Sequence, residues 1–134
     1  MEINVRVSET DMLGHINNAS YFTYMEETRL DFLQKLGMDV RADDFTIMLV
    51  STKCDFVRQG YFGQTLDIET TVQRIGNTSF TLCTEMCDKE SGNLIASGEA
   101  TIVYVDIVQQ KAAIIPDAFK ASLQEHLRER SEEQ

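Results

Sequence analysis

Four runs of alternating apolar and polar residues fill most of the chain between residues 47 and 107, and the breaks between them are too short to hold a helix. The runs are "IMLVSTKCDFVR", "TLDIETTVQRI", "SFTLCTEMCD" and "LIASGEATIVYVDI". A period of two sends successive side chains to opposite faces of a strand. Strands joined by turns pair antiparallel, because a parallel pair needs a crossover of roughly a dozen residues. A single long helical stretch precedes them and a shorter one follows. One helix facing one antiparallel sheet is an α+β layer arrangement.

The long stretch is "NASYFTYMEETRLDFLQKL", residues 18–36. Phe22, Met25, Phe32, Leu33 and Leu36 recur at helical spacing, with Tyr21 and Leu30 beside them. The arc is broad, which suggests burial on more than one side. Asn17 or Asn18 offers a cap, and Gly37 offers a stop. A first strand is expected over residues 2–8, where Ile3, Val5 and Val7 alternate with polar neighbours. In the four later runs, Met48, Val50, Thr52, Cys54 and Phe56 share one face, as do Leu66, Ile68, Thr70 and Val72, and then Phe80, Leu82 and Met86. "VRADDF" reads as a loop, and "QGYFG", "GN" and "KESGN" as turns. Gly98 inside the last run marks a bulge or a close approach. "IIPDAFKASLQEHLRER" closes as a helix with Pro116 near its first turn, and the tail "QEHLRERSEEQ" reads as its solvated end. The expectation is a five-stranded antiparallel sheet, one long helix and a C-terminal helix, in one domain spanning 1–134.

Composition narrows the partners. A net charge of −10 argues against a nucleic-acid or anionic-membrane surface. It still permits a phosphorylated ligand held by a helix N-terminus or a few arginines. No apolar run reaches bilayer length, and "MEINVRVSETD" lacks an apolar leader core, so a cytoplasmic protein is expected. On one strand Cys83 and Cys87 stand about 13 Å apart at ~3.3 Å per residue, too far for a disulfide. Free thiols are expected. The two histidines are far apart and show no metal-ligand spacing, so neither metal nor cofactor is expected.

The chemistry concentrates in "ETDMLGHINNASYF", residues 9–22. Asp11 precedes His15 by four residues with Gly14 between, and two asparagines lead into the helix. An acid here is ordinarily a turn residue, and a lone loop histidine is ordinarily structural. Asn17 and Asn18 serve as caps in either reading. Asp11, however, lies a full loop ahead of the helix, where capping does not need it.

"RVSETDMLGHINNASYFTYMEETRLDFLQKLG", with "YFGQTLDIETTVQRIGNTSF", "ASGEATIVYVD" and "IIP", resembles the hotdog-fold acyl-CoA thioesterases of the 4-hydroxybenzoyl-CoA thioesterase-like branch. The resemblance spans nearly the whole chain, and the opening motif is its most specific part. It implies a sheet wrapped around the long helix, and a homodimer joined edge to edge or a dimer of such dimers, with active sites at the dimer interface. It implies acyl-CoA as substrate, with no nucleic-acid or membrane partner. The acid of the family's D-x-x-G loop falls on Asp11, with Gly14 completing the pattern, and the carbonyl-polarising amide falls near Asn18. "DMLGHINNASY" is also similar to plant acyl-carrier-protein thioesterases, whose histidine matches His15, although Leu13 replaces their asparagine. Other hotdog thioesterases carry the acid on the helix; Glu26 and Glu27 are the helical acids here, without a motif match.

Thioester hydrolysis needs an activated water or a carboxylate nucleophile, plus an oxyanion site. The leaving thiol, with a pKa of roughly 8.5, needs little acid assistance. Asp11 suits the first role, and the partial positive charge of a helix N-terminus suits the second. His15 can orient Asp11 or the water, or donate to the carbonyl. Gly14, Ile16 and Tyr21 are expected against the substrate, and Arg74, Thr78 and Ser79, together with Arg58, are candidates for the CoA arm. The acyl chain is expected near Phe22, Met25 and Phe56. Two further readings belong to different classes. A hotdog hydratase or dehydratase ordinarily carries D-x-N-P-x-H, which is absent here. A non-catalytic acyl-CoA-binding dimer would bind without releasing CoA.

Overall fold

The computed structural model, which describes residues 1–12, 14–38 and 44–128, wraps one antiparallel sheet around the long helix. The elements are β1 (Glu2–Asn4), a 3₁₀ turn (Val7–Glu9), α1 (Asn18–Lys35), β2 (Phe45–Phe56), β3 (Thr65–Ile75), β4 (Ser79–Asp88), β5 (Leu94–Asp106), β6 (Lys111–Ala112) and α2 (Asp117–Gln124). The sheet order is β1-β3-β4-β5-β2, and the two-residue β6 pairs with the end of β5. The architecture is the expected α+β wrap, with β6 added to the five expected strands. Residues 40–43 of the expected loop, and residues 129 and 130 of the expected terminal helix, lie outside the described residues; Phe45 already opens β2.

Four local expectations change. The first strand stops at Asn4, because the chain turns at Val7–Glu9 to carry the next loop onto α1. On α1 the buried arc is Tyr21, Tyr24, Met25, Thr28, Arg29 and Leu33, while Phe22 and Leu30 are more than a third exposed. In β2 the pairing slips between Leu49 and Ser51, so one extra residue reverses the alternation. Ile47 packs into the core before the slip and Cys54 after it, and Met48 and Val50 face solvent. Finally, α2 ends at Gln124. The chain beyond it tightens through one more hydrogen-bonded turn and then meets the sheet edge: Val72 N–H donates to His126 O at 2.9 Å, and Arg128 N–H to Val72 O at 2.6 Å.

The core falls into two clusters along α1. One gathers Tyr21, Tyr24 and Met25 against Ile68, Met86 and Ile95. The other gathers Leu33 against Val72, Phe80, Leu82 and, from α2, Phe119 and Leu123. Gly98 is a close approach rather than a bulge, since it pairs in register with Cys54 and Thr84. A Cβ there would stand 2.5 Å from Met25 Cε and 3.1 Å from Lys53 O. Met25 is 1% exposed and has nowhere to retreat. Gly98→Ala is therefore expected to lower stability by about 1–3 kcal/mol, the usual cost of overpacking. Urea unfolding of the variant beside the parent protein measures it.

Candidate active site

The loop that carries Asp11 is closed on itself. Thr10 and Ile16 form an antiparallel bridge, Asp11 N–H donates to His15 O at 2.8 Å, and Gly14 N–H donates to Asp11 O at 3.0 Å. Gly14 has φ +83°, a left-handed conformation that side chains other than glycine's resist. Asp11 is exposed, and His15 is half-buried.

One flank of the loop is bound to the start of α1. Asn17, not Asn18, is the N-cap: its side chain accepts from Ala19 N–H at 2.8 Å, and its carbonyl accepts from Ser20 N–H at 2.9 Å. The cap thus takes up the second and third amides of the helix. Asn18 is the first helical residue, and the helix itself offers its N–H no acceptor. Glu9, two residues before Asp11, accepts at its carbonyl from Asn17 N–H (2.9 Å) and from the Ser20 hydroxyl (3.0 Å). Its carboxylate accepts from the Tyr24 hydroxyl at 2.9 Å and from the Arg6 guanidinium and backbone.

The other flank is clamped by residues 60–62. Ile16 N–H donates to Gly60 O at 2.8 Å, and Phe62 N–H to Gly14 O at 2.9 Å. His15 bridges to Tyr61, and their rings meet edge to face with centroids 4.9 Å apart. A Cβ on Gly60 would stand 2.4 Å from Ile16 Cδ1 and 2.9 Å from the Tyr21 hydroxyl, so only glycine fits between them.

Burial alone would raise the Glu9 carboxyl, but the hydrogen bonds from Arg6 and Tyr24 outweigh it and hold it below the ordinary carboxylate range. Burial, and then the bond to Glu9, pushes the Tyr24 hydroxyl well up. Burial also raises Tyr21, opposed by the Gly60 N–H. All three cysteines are free. Burial, with Asp55 behind it, pushes the Cys54 thiol up to about 11, and burial with Glu85, Asp67 and Glu69 raises Cys87. Neither of these two is primed as a nucleophile.

Asp11, Gly14, His15, Ile16, Asn18 and Tyr21 therefore converge on one loop and one helix start. Arg74, Thr78 and Ser79 do not join them. They lie toward the far ends of β3 and β4, and the nine residue steps from Thr65 to Arg74 span about 30 Å at ~3.3 Å each. There Arg74 Nη2 donates to Ser79 Oγ and Thr81 Oγ1, both at 3.3 Å, which is a cross-strand contact on the sheet surface. Arg58 is exposed and bonds to Leu94 O at 3.2 Å. Met25 is core, while Phe22 and Phe56 are exposed; the Phe56 ring meets the Tyr21 ring at 5.2 Å. Sequence reasoning passes over Glu9, Gly60 and Tyr61. The only local signal for Glu9 is an acid beside the loop, and for Gly60 a glycine in a turn.

Residues 5–123 match the family described as the thioesterase-like superfamily. YsmA of Bacillus subtilis, described as uncharacterized, is 32% identical over 91% of this chain and 82% of its own length. The long-chain acyl-CoA thioesterase FadM of Escherichia coli is 25% identical over 92% of this chain and 96% of its own. The solved structure of a predicted thioesterase from Bacillus stearothermophilus superposes with a TM-score of 0.86 at 30% identity, covering 98% of this chain and 97% of that one.

The Glu9 contacts carry a pH signature. A carboxyl held lower in the folded than in the unfolded state binds fewer protons when folded, so it adds stability that is complete above its unfolded pKa of roughly 4.3 and is lost as pH falls through the folded value. Glu9→Gln is expected to flatten the fall in stability below about pH 5. Denaturant titrations of both proteins at several pH values check this.

Proposed function

Because the chain belongs to the thioesterase-like superfamily and is a thioester hydrolase, we propose that it hydrolyses acyl-CoA to a free carboxylic acid and CoA, with Asp11 as general base or nucleophile. One observation carries this reading: the loop that presents Asp11 is bonded through Glu9 to the same helix start whose cap leaves the Asn18 amide out. Acid and oxyanion donor thereby belong to one hydrogen-bonded unit. The similarity to FadM, a long-chain acyl-CoA thioesterase, supports CoA as the carrier.

As general base, Asp11 takes a proton from water while the water oxygen bonds to the thioester carbon. As nucleophile, its carboxylate oxygen forms that bond itself, and water then hydrolyses the mixed anhydride. In both routes the carbonyl oxygen becomes an oxyanion facing the Asn18 N–H and the positive end of α1. Collapse of the tetrahedral centre breaks the carbon–sulfur bond and releases the CoA thiolate. His15, held edge-on to Tyr61, borders the reacting atoms. Gly14, Ile16 and Tyr21 border the substrate, and the exposed rings of Phe22 and Phe56 offer an apolar path for the acyl chain.

The same reading includes a homodimer. Among the described residues β2 pairs on one side only, and Met48, Leu49 and Val50 are 55%, 43% and 54% exposed. An unpaired strand edge with exposed apolar residues is a ready template for another copy of the same strand. Arg74, Thr78 and Ser79 lie so far from Asp11 in one chain that a CoA-binding role for them is proposed only across such a dimer.

Asp11→Ala is expected to keep the fold and to lower kcat at least roughly a hundredfold, the size of a strong catalytic contribution. Thiol release from a panel of short, long and aromatic acyl-CoAs measures it, and near-normal turnover would sink the assignment. Leu49→Lys is expected to shift the molar mass from a multiple of the chain mass to that of one chain. Light scattering on the eluting protein reads this directly, and an unchanged mass would rule out the β2 edge as the joint.

A further inference from the structure

Tyr24 is 0% exposed, so its hydroxyl must find an acceptor inside the protein. The acceptor is Glu9 Oε1 at 2.9 Å, fifteen residues away in sequence. Six donors converge on Glu9: four on the carboxylate (Arg6 N, Arg6 Nε, Arg6 Nη2 and the Tyr24 hydroxyl) and two on the carbonyl (Asn17 N–H and the Ser20 hydroxyl). The two carbonyl bonds hold the backbone ahead of Asp11 to the first turn of α1. The Tyr24 bond holds it again one turn further along. Two anchor points along a helix fix an angle, where one anchor alone leaves a pivot.

We propose that Glu9, through Tyr24, is a positioning residue that sets the Asp11 carboxylate against the Asn18 amide. The inference rests on the catalytic reading of Asp11. Arg6 completes the device by neutralising the charge that Glu9 brings against the buried face of α1, and the Arg6 guanidinium itself is exposed. Reactive groups displaced by about 1 Å lose rate by about a hundredfold, although substrate contacts elsewhere stay intact. The signature is therefore a fall in kcat at nearly constant KM.

The test compares Glu9→Ala, Glu9→Gln, Tyr24→Phe and Asp11→Asn in the full chain, with acyl-CoA turnover measured well below each variant's melting temperature. Glu9→Ala is expected to lower kcat at least tenfold with KM within about twofold of the parent. Tyr24→Phe is expected to lower it severalfold. Glu9→Gln, which keeps an oxygen for the Tyr24 hydroxyl, is expected to recover most of the turnover lost in Glu9→Ala. Should Glu9→Ala not fold, Tyr24→Phe and its kcat-to-KM split decide alone. Loss of turnover in Asp11→Asn beside parental kcat in the folded Glu9 and Tyr24 variants would overturn this inference alone. So would a loss confined to KM. Near-normal turnover in Asp11→Asn would overturn the reading of Asp11 and this inference with it.

Discussion

α1 is eighteen residues long and, among the described residues, has one sheet to cover it, and that shortage of partners shapes most of the molecule. A flat sheet can touch a helix along one line, whereas a curled sheet can follow the broad arc from Tyr21 to Leu33. The curl has identifiable sources. Register slips in β2 at Val50, between Val72 and Arg74 in β3, and between Met86 and Cys87 where β4 meets β5 each put an extra residue on one strand and sharpen its local twist. Gly98 then lets β5 approach Met25 without an intervening side chain. At the other end α2 closes the gap that the sheet leaves, with Phe119 edge-on to Phe80 and Leu123 fully buried.

Curling a sheet without closing it into a barrel leaves two edges, and the chain treats them differently. Along β3, β1 pairs with the first residues, the Met1 carbonyl accepts from Ile68 N–H at 2.8 Å, and the segment after α2 takes both backbone groups of Val72. This edge is blunted by the two ends of the described chain. Along β2, Lys53 near Glu99 and Asp55 puts charge on one half, but the middle is apolar on both faces. The bulge at Val50 makes that so: it reverses the alternation in mid-strand and turns apolar side chains outward. The same device that curls the sheet also prepares the surface proposed to meet a second copy.

β3, β4 and β5 are legible in the sequence almost to the residue, because apolar–polar alternation bounded on both sides by turn residues fits a strand and little else. α1 is legible for the same reason at its own period, down to its stop before Gly37. The differences share a cause. Bulges are one-residue events that leave hydrophobic composition unchanged, so Met48 reads as an inward residue where Ile47 takes that place. The lower end of the C-terminal helix is illegible because "EHLR" has good helix propensity, yet Val72 offers His126 and Arg128 a sheet edge. In the site, the helix start can be read from its asparagine caps, and the D-x-x-G loop from its resemblance to the hotdog thioesterases. Glu9, Gly60 and Tyr61 cannot, since their roles depend on contacts across fifteen to fifty residues that no local pattern encodes.

The cap and the proposed oxyanion site compete for the same backbone groups, and the position of the cap resolves the competition. With Asn17 as N-cap, its side chain and carbonyl occupy the amides of Ala19 and Ser20. Had Asn18 been the cap, the first helical amide would have moved to Ala19, one residue farther from the loop. Asn17 is held in the capping position by its own N–H on Glu9 O, so the residue that anchors the Asp11 loop also decides which amide the helix leaves over. Positioning of the proposed acid and selection of the proposed oxyanion donor then both trace to one residue, Glu9, through its carboxylate on Tyr24 and its backbone carbonyl on Asn17. An acid on α1 would not have this property: Glu26 and Glu27 are exposed, and their placement is set by helix geometry alone, with no tie to the cap. A loop acid bonded to the helix start couples the two halves of the proposed reaction; a helical acid in the same chain would leave them independent.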